Sequence, residues 1–282
     1  MATAIAMVGA GSLSATLAPA LQRAGYHVKV IVSRGKPSSL RKARKMARGL
    51  GARVLPAENA TLDAQLIWFC VPDGEIRSAA RDLADACDWK GKLAFHSSGA
   101  LTSDELDVLR KRGAGAASVH PLMTFVSDSR PELLGVPFAV EGDRSATLLA
   151  RQIVKRLGGN AFAIRKQDKV LYHAWGTFAS PLLIALLTTA EQVARASGVS
   201  IKEARKKMLP ILTQTLANYA ALSPANAFSG PIVRGDAEVL RRHLTALKKV
   251  PEAKAVYLAL ARAALRYLPA RSRQQSRKVL VP

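Results

Sequence analysis

The chain has 282 residues, 42 Lys and Arg against 20 Asp and Glu, a formal net charge of +22 and 49% hydrophobic residues. That is apolar material for one large domain or two ordinary ones. No apolar run approaches the roughly 18–20 unbroken residues of a membrane span, and Cys70 and Cys87 alone are too few for a disulfide framework. No Lys or Arg precedes Arg23, so the charged start of a secretory leader is missing, and we expect a cytoplasmic protein without membrane contact.

The charge is concentrated. Residues 34–53 hold eight basic residues and no acid, and residues 262–278 hold six more and no acid. Such surfaces attract phosphates or nucleic acid. No zinc-ligand spacing, RNA-binding aromatic motif or helix-turn-helix accompanies them, so neither a metal nor a nucleic acid is expected as a partner.

In chain order, residues 4–8 (AIAMV) read as a buried strand closed by glycine, and 12–24 as a helix with Leu13, Leu17 and Leu21 at spacing four. Strands are expected at 27–32, 65–71, 92–96, 116–120, 137–141 and 161–164. Helices are expected at 39–50, 75–86, 105–111 and 145–157. From residue 168 only helices follow: 168–197, 201–221, 237–248 and 252–267. Pro181 should kink or break the first of these, and the Arg/Gln/Ser-rich end after Pro269 is expected to fray. Alternating strands and helices followed by helices alone predict an α/β fold, a doubly wound sheet over 1–165 joined to an all-α domain over 166–282.

Gly9-Ala10-Gly11 follows a strand and opens a helix. The first Gly permits a tight turn, the second allows close backbone approach to a pyrophosphate, and the helix N-terminus offers free N–H groups, Ser12 and Leu13 among them. At the end of the next strand there is no Asp or Glu for a ribose 2′-hydroxyl. Ser33 and Arg34 stand there instead and suit a 2′-phosphate, which favours NADP(H) over NAD(H). Val71 and Pro72, ending a third strand, are placed to flank the nicotinamide ribose.

His96, Ser97, Ser98 and His120 also sit at strand ends, where small hydroxyls and imidazoles suit a substrate carboxylate or carbonyl; loop capping explains the serines equally well. Lys169, His173, Gly176 and Ser180 share one helix face. A Lys and a His one turn apart can serve as proton donor or substrate anchor, each depressing the other's pKa. Arg234 and Asp236 lie in a Gly-rich connection, where Asp236 also suits the N-cap of the next helix.

The segments GAGSLSATLAPAL, FCVPD, HSSGAL, HPLMTF, FAVEGD, YHAWGTFASPLL, LTQTLANYA and SGPIVRGD span nearly the whole chain. Together they resemble a bacterial family with a Rossmann-like NADP-binding domain and a C-terminal helical domain of unassigned function. That family is related to pyrroline-5-carboxylate reductase, ketopantoate reductase and the 3-hydroxyacid dehydrogenases. The resemblance implies a homodimer built through the helical domain. It also implies an interdomain cleft lined by His96, Ser97, His120, His173, Ser180, Asn218, Arg234 and Asp236. Ser14 and Pro181 depart from the pattern, standing where a small Gly or Ala and an Asn are usual.

The expected activity is NADP(H)-dependent hydride transfer to a small carbonyl, imine or hydroxy acid. His173 or Lys169 would handle the proton, and Ser97 and Asn218 would orient the substrate. The rival readings are a dinucleotide-binding sensor without turnover and, third, a nucleic-acid-associating basic protein.

Overall fold

The computed structural model describes residues 3–127 and 129–281. The chain divides into two compact units, Met1–Phe178 and Ala179–Pro282.

The first unit is built on an eight-stranded sheet in the order β3-β2-β1-β4-β5-β6-β7-β8. The strands are β1 Ala4–Val8, β2 His27–Ser33, β3 Arg53–Pro56, β4 Leu66–Phe69, β5 Leu93–His96, β6 Gly115–Pro121, β7 Pro137–Gly142 and β8 Asn160–Ala163. All neighbours pair in parallel except β6 and β7. The order reverses between β1 and β4, which places the ligand crevice of a doubly wound sheet at their carboxyl ends. β3 is a strand that the sequence pattern does not reveal. It pairs with β2 from Val30↔Arg53 to Ser33↔Pro56, and its proline is tolerated because β3 is an edge strand.

Side-chain alternation along the strands divides the core into two layers. Ile5 and Met7 of β1 face one layer with Ile31, Trp68, Phe95 and Val140. Helices α1 (Ser12–Arg23), α2 (Pro37–Leu50) and α5 (Arg144–Arg156) close it with Leu17, Leu21, Ala43, Ala47, Ala150 and Ile153. Ala6 and Val8 face the other layer with Ile67, Phe69 and Ala94, closed by α3 (Ile76–Asp82) and α4 (Asp107–Arg110). In α2 the buried residues are Ala43, Ala47 and Leu50, and the basic residues occupy the solvent side.

The expected helix from 168 to 197 is two helices, α6 (Lys169–Ala179) and α7 (Pro181–Ala196). Ser180 between them leaves helical dihedrals, at φ −126° and ψ −80°, and Pro181 takes the first position of α7, where its missing N–H costs nothing. The division between units therefore falls at 178/179 rather than near Arg165, because α6 is tied to the sheet. Residues 166–196 do reach the length and average apolarity of a membrane span, although no unbroken apolar run does so. The stretch buries Lys169 against the sheet and breaks at Ser180.

The second unit holds α7, α8 (Ile201–Ala221), α9 (Pro224–Ala227), α10 (Pro231–Arg234), α11 (Ala237–Ala246), α12 (Pro251–Ala264) and α13 (Ala270–Leu280). α13 corrects the expectation of a frayed end: Leu280 is buried with Leu240 and Ala261. Gly235, at φ +73°, lets α13 approach, since a Cβ there would lie 3.1 Å from Ser272 Cα. α7 and α8 are clamped by the buried Glu191, which accepts from Arg205 Nε and Nη2 at 2.8 and 3.2 Å. That guanidinium holds the Glu191 carboxyl below its ordinary range.

Candidate functional site

At the carboxyl ends of β1, β2 and β4 lies a cavity of about 300 Å³. Gly9, Gly11, Ser33, Arg34, Val71 and Pro72 line it, six of the eight residues expected to hold a cofactor. Gly9 has φ +100°, and a Cβ there would stand 2.5 Å from the Cys70 carbonyl oxygen, so the turn requires glycine. A Cβ on Gly11 would meet nothing within 4 Å, and no side chain caps α1. The first N–H groups of α1 are thus left for a ligand. Ser12 is half-buried and lines a neighbouring groove, while the Leu13 side chain packs on the core, so neither side chain joins the cavity.

Cys70 lies under the turn beside Ser14 and Ser97, and burial pushes its thiol up to about 12. It is a packed thiol, not a nucleophile. Ser14 fits the position of the usual third Gly with its hydroxyl buried.

The ends of β5 and β6 carry a second polar group. His96 is fully buried. Its Nδ1 accepts from the Ser98 N–H at 3.1 Å, and its Nε2 donates to the Thr102 carbonyl at 2.9 Å. A backbone N–H can only donate and a carbonyl only accept, so this geometry fixes the neutral tautomer. Burial lowers the His96 pKa to about 4. Ser98 Oγ donates to Asp73 Oδ2 at 2.7 Å and accepts from the N–H groups of Ala100 and Leu101 at 3.2 and 2.9 Å. Both side chains have consumed their hydrogen bonds, which corrects their assignment to substrate binding.

Lys169 is also 0% exposed. Nζ donates to the Ser98 carbonyl at 3.1 Å and to Ser118 Oγ at 2.8 Å. Its pKa falls to about 8 because burial disfavours the cation, while Glu141 and Asp73 act in the opposite sense. The expected cause, a neighbouring His173, is not the operative one. Lys169 is a buried tie between α6 and the sheet, which corrects its assignment as an accessible proton donor.

His120 and His173 remain on the open side. Tyr172 Oη lies 2.9 Å from His120 Nδ1, and the two imidazole centroids are 6.1 Å apart, nearly perpendicular. Burial, then the charge of Lys169, takes His120 to about 3, and burial takes the Tyr172 hydroxyl to about 12. Gly99 sits between the rings: a Cβ there would lie 2.6 Å from His173 Cδ2 and 2.8 Å from His120 Nε2. His173 is exposed. Ser97 is half-buried and accepts from Trp68 Nε1 at 2.8 Å.

Ser180, Asn218, Arg234 and Asp236 belong to the second unit. Asn218 Oδ1 accepts from Gln214 Nε2 at 2.8 Å. Arg234 Nε donates to Asp236 Oδ2 at 2.8 Å, so the Asp236 side chain pairs with arginine and does not cap α11.

Sequence reasoning missed Tyr172, Gly99 and Glu75. Tyr172 lies three residues from Lys169 and shares its helix face, a spacing legible once Lys169 was singled out.

Residues 2–121 match the family profile of a Rossmann-like domain, and residues 136–264 match that of a domain of unknown function, DUF2520. No curated protein matches the chain. Among solved structures it is similar to BF3122 of Bacteroides fragilis, assigned as an NADP oxidoreductase (TM-score 0.77, 22% identity, 93% of this chain and 98% of that one). It is similar to an imine reductase from Pseudomonas sp. (TM-score 0.62, 20% identity, 94% of each chain). It is also similar to a reductive aminase from Aspergillus terreus solved with NADPH and ethyl-5-oxohexanoate (TM-score 0.59, 17% identity, 99% and 93%). At these identities the likeness establishes the fold.

Proposed function

We propose that this chain, a Rossmann-like domain followed by a DUF2520 domain, is a cytoplasmic NADP(H)-dependent oxidoreductase. Its substrate class is a small carbonyl, imine or hydroxy acid. The observation that carries the reading is the cavity that joins the Gly9–Gly11 turn to Arg34 and to Val71-Pro72 at the reversal of strand order. Its residues fit the cofactor: the turn admits no side chain at Gly9, the space before Gly11 is open, and α1 begins uncapped. Arg34 would take the 2′-phosphate, beside the buried Ser33 whose hydroxyl donates to the Arg34 carbonyl at 3.1 Å, and Val71 and Pro72 would flank the nicotinamide ribose.

When bound, the cofactor supplies or accepts a hydride. His173, exposed beside His120, is the group we assign to the proton. His120, kept neutral and held by Tyr172, positions it. Ser97 offers a half-buried hydroxyl to the substrate. The relatives act on, or were solved with, imine, amine and carbonyl chemistry, which supports the substrate class.

The helical unit carries the surface we assign to a second copy. Leu209, Leu216 and Tyr219 lie along one stripe of α8 and are 63%, 59% and 73% exposed, an apolar face that a lone chain leaves in water.

Calorimetric titration with NADPH and with NADH tests the reading. We expect NADPH binding that Arg34→Glu weakens by about a hundredfold, as a charge reversal opposite a phosphate should. Failure of both cofactors to bind the wild type overturns it. His173→Ala then separates the enzyme from a sensor. It should abolish turnover and leave NADPH affinity intact, whereas unchanged turnover removes His173 from the chemistry.

A further inference from the structure

The sequence around the cofactor cavity is strongly basic, yet the cavity itself is not. Its charged lining is Arg34 and Lys42 against Glu75 and Asp82. Glu75 lies in the connection between β4 and α3, and its Oε1 is 2.7 Å from Arg34 Nη1. Its second oxygen, Oε2, is buried and has no hydrogen-bond partner among the described residues. A buried carboxylate oxygen without a donor is costly and calls for one. Arg34, with its side chain 54% exposed, keeps guanidinium N–H groups beyond Nη1 free for a second anion.

The two ends of this ion pair favour different ligands. A dinucleotide ribose with a free 2′-hydroxyl brings O–H donors, which a carboxylate accepts. A 2′-phosphate brings only negative charge at neutral pH; Arg34 welcomes it and Glu75 repels it. The strand end that usually supplies a carboxylate to the ribose holds Ser33 and Arg34 here. The carboxylate comes instead from the next loop across the crevice.

We infer that Glu75 is a specificity-determining residue: it supplies the ribose-hydroxyl acceptor that the end of β2 lacks and restrains the preference for the 2′-phosphorylated cofactor that Arg34 creates. The inference rests on the cofactor reading above. The chain then uses both dinucleotides, and the Arg34–Glu75 balance sets their ratio.

The test is a calorimetric titration of the wild-type chain and of Glu75→Gln with NADPH and NADH in parallel. The glutamine keeps the shape and removes the charge. The two affinities should move in opposite directions: NADPH tightens about fivefold and NADH weakens about fivefold, the size of one partly exposed charge interaction. In an Arg34→Ala background the gain for NADPH should shrink to within about twofold, because the two residues act on one ligand group. Affinities that move together, or a ratio that does not change, overturn the role of Glu75 and leave the cofactor reading standing. A wild type that binds neither dinucleotide overturns both.

Discussion

Lys169 Nζ and Ser118 Oγ meet at 2.8 Å across 51 residues of chain, inside a site from which water is excluded. This contact fastens α6 to the centre of the sheet and sets the position from which Tyr172 and His173 reach His120. It also stores a pH dependence. The lysine titrates at about 8 in the folded chain and at its ordinary 10.5 when unfolded. Between those values the unfolded chain binds the proton and the folded chain does not, so stability rises with pH. Cys70, raised from 9.0 to about 12, and Tyr172, raised from 10.0 to about 12, act in the opposite sense above 9 and 10. The lysine is therefore read between pH 8 and 9. Urea unfolding should show a gain of roughly 1 kcal/mol over that unit, and Lys169→Met should remove it. A wild-type stability that falls over this interval contradicts the assignment.

The acid side belongs to the histidines. His96 and His120 are lowered from 6.5 to about 4 and about 3. As the pH falls below 6.5 the unfolded chain takes up protons that the folded chain refuses, so stability drops before the depressed carboxylates of Asp104 and Glu191 titrate. Denaturation midpoints at pH 7, 6 and 5 should decline by a total of roughly 2–4 kcal/mol for the two residues. His120→Gln should recover about half of that decline. A flat profile to pH 5 would show that neither ring is neutral and buried as described.

Gly99 lies between the His120 and His173 imidazoles. Gly99→Ala places a methyl where His173 Cδ2 and His120 Nε2 now stand, and the exposed His173 is the ring free to turn away. We expect turnover to fall by at least about tenfold, as a misplacement of about 1 Å at reacting groups costs. NADPH affinity should change less than twofold, because the cavity around Gly9 is untouched. Loss of cofactor binding in this variant would place Gly99 in the wrong site.

The stripe on α8 makes a prediction about assembly. The wild-type chain should sediment as a dimer at micromolar concentration, and Leu209→Glu with Leu216→Glu should give a folded monomer with unchanged helical content. A wild-type monomer removes the proposed second copy.

The sheet was legible because its strands are short apolar runs closed by glycine or proline, as at Ala4–Val8 and Leu66–Phe69. β3 was not, because Arg53 and Pro56 look like loop residues and only the pairing with β2 makes them a strand. α13 was hidden for a related reason: two of the three residues on its buried face, Ser272 and Ser276, are small and polar, Leu280 alone is apolar, and basic residues surround them. In the site, the residue types at strand ends were visible, and Gly9, Arg34, His120 and His173 stand where the spacing put them. What a sequence does not display is whether a polar side chain has already spent its hydrogen bonds. His96, Ser98 and Lys169 all have, on partners as distant as residues 98 and 169, and so became ties. Glu75 escaped notice because its partner Arg34 lies on a different strand end, brought close only by the reversal of strand order.

Burial raises the pKa of both cysteines, Cys70 to about 12 and Cys87 in the same direction. Cys70 presents no appreciable thiolate at neutral pH and should ignore alkylating reagents and mild oxidants that modify an ordinary surface thiol, and the half-buried Cys87 should react more slowly than such a thiol. The chain therefore has no fast native thiol. A single cysteine introduced at an exposed position would outpace the native pair, which makes preferential attachment of a fluorophore or spin label possible under brief labelling without first removing them.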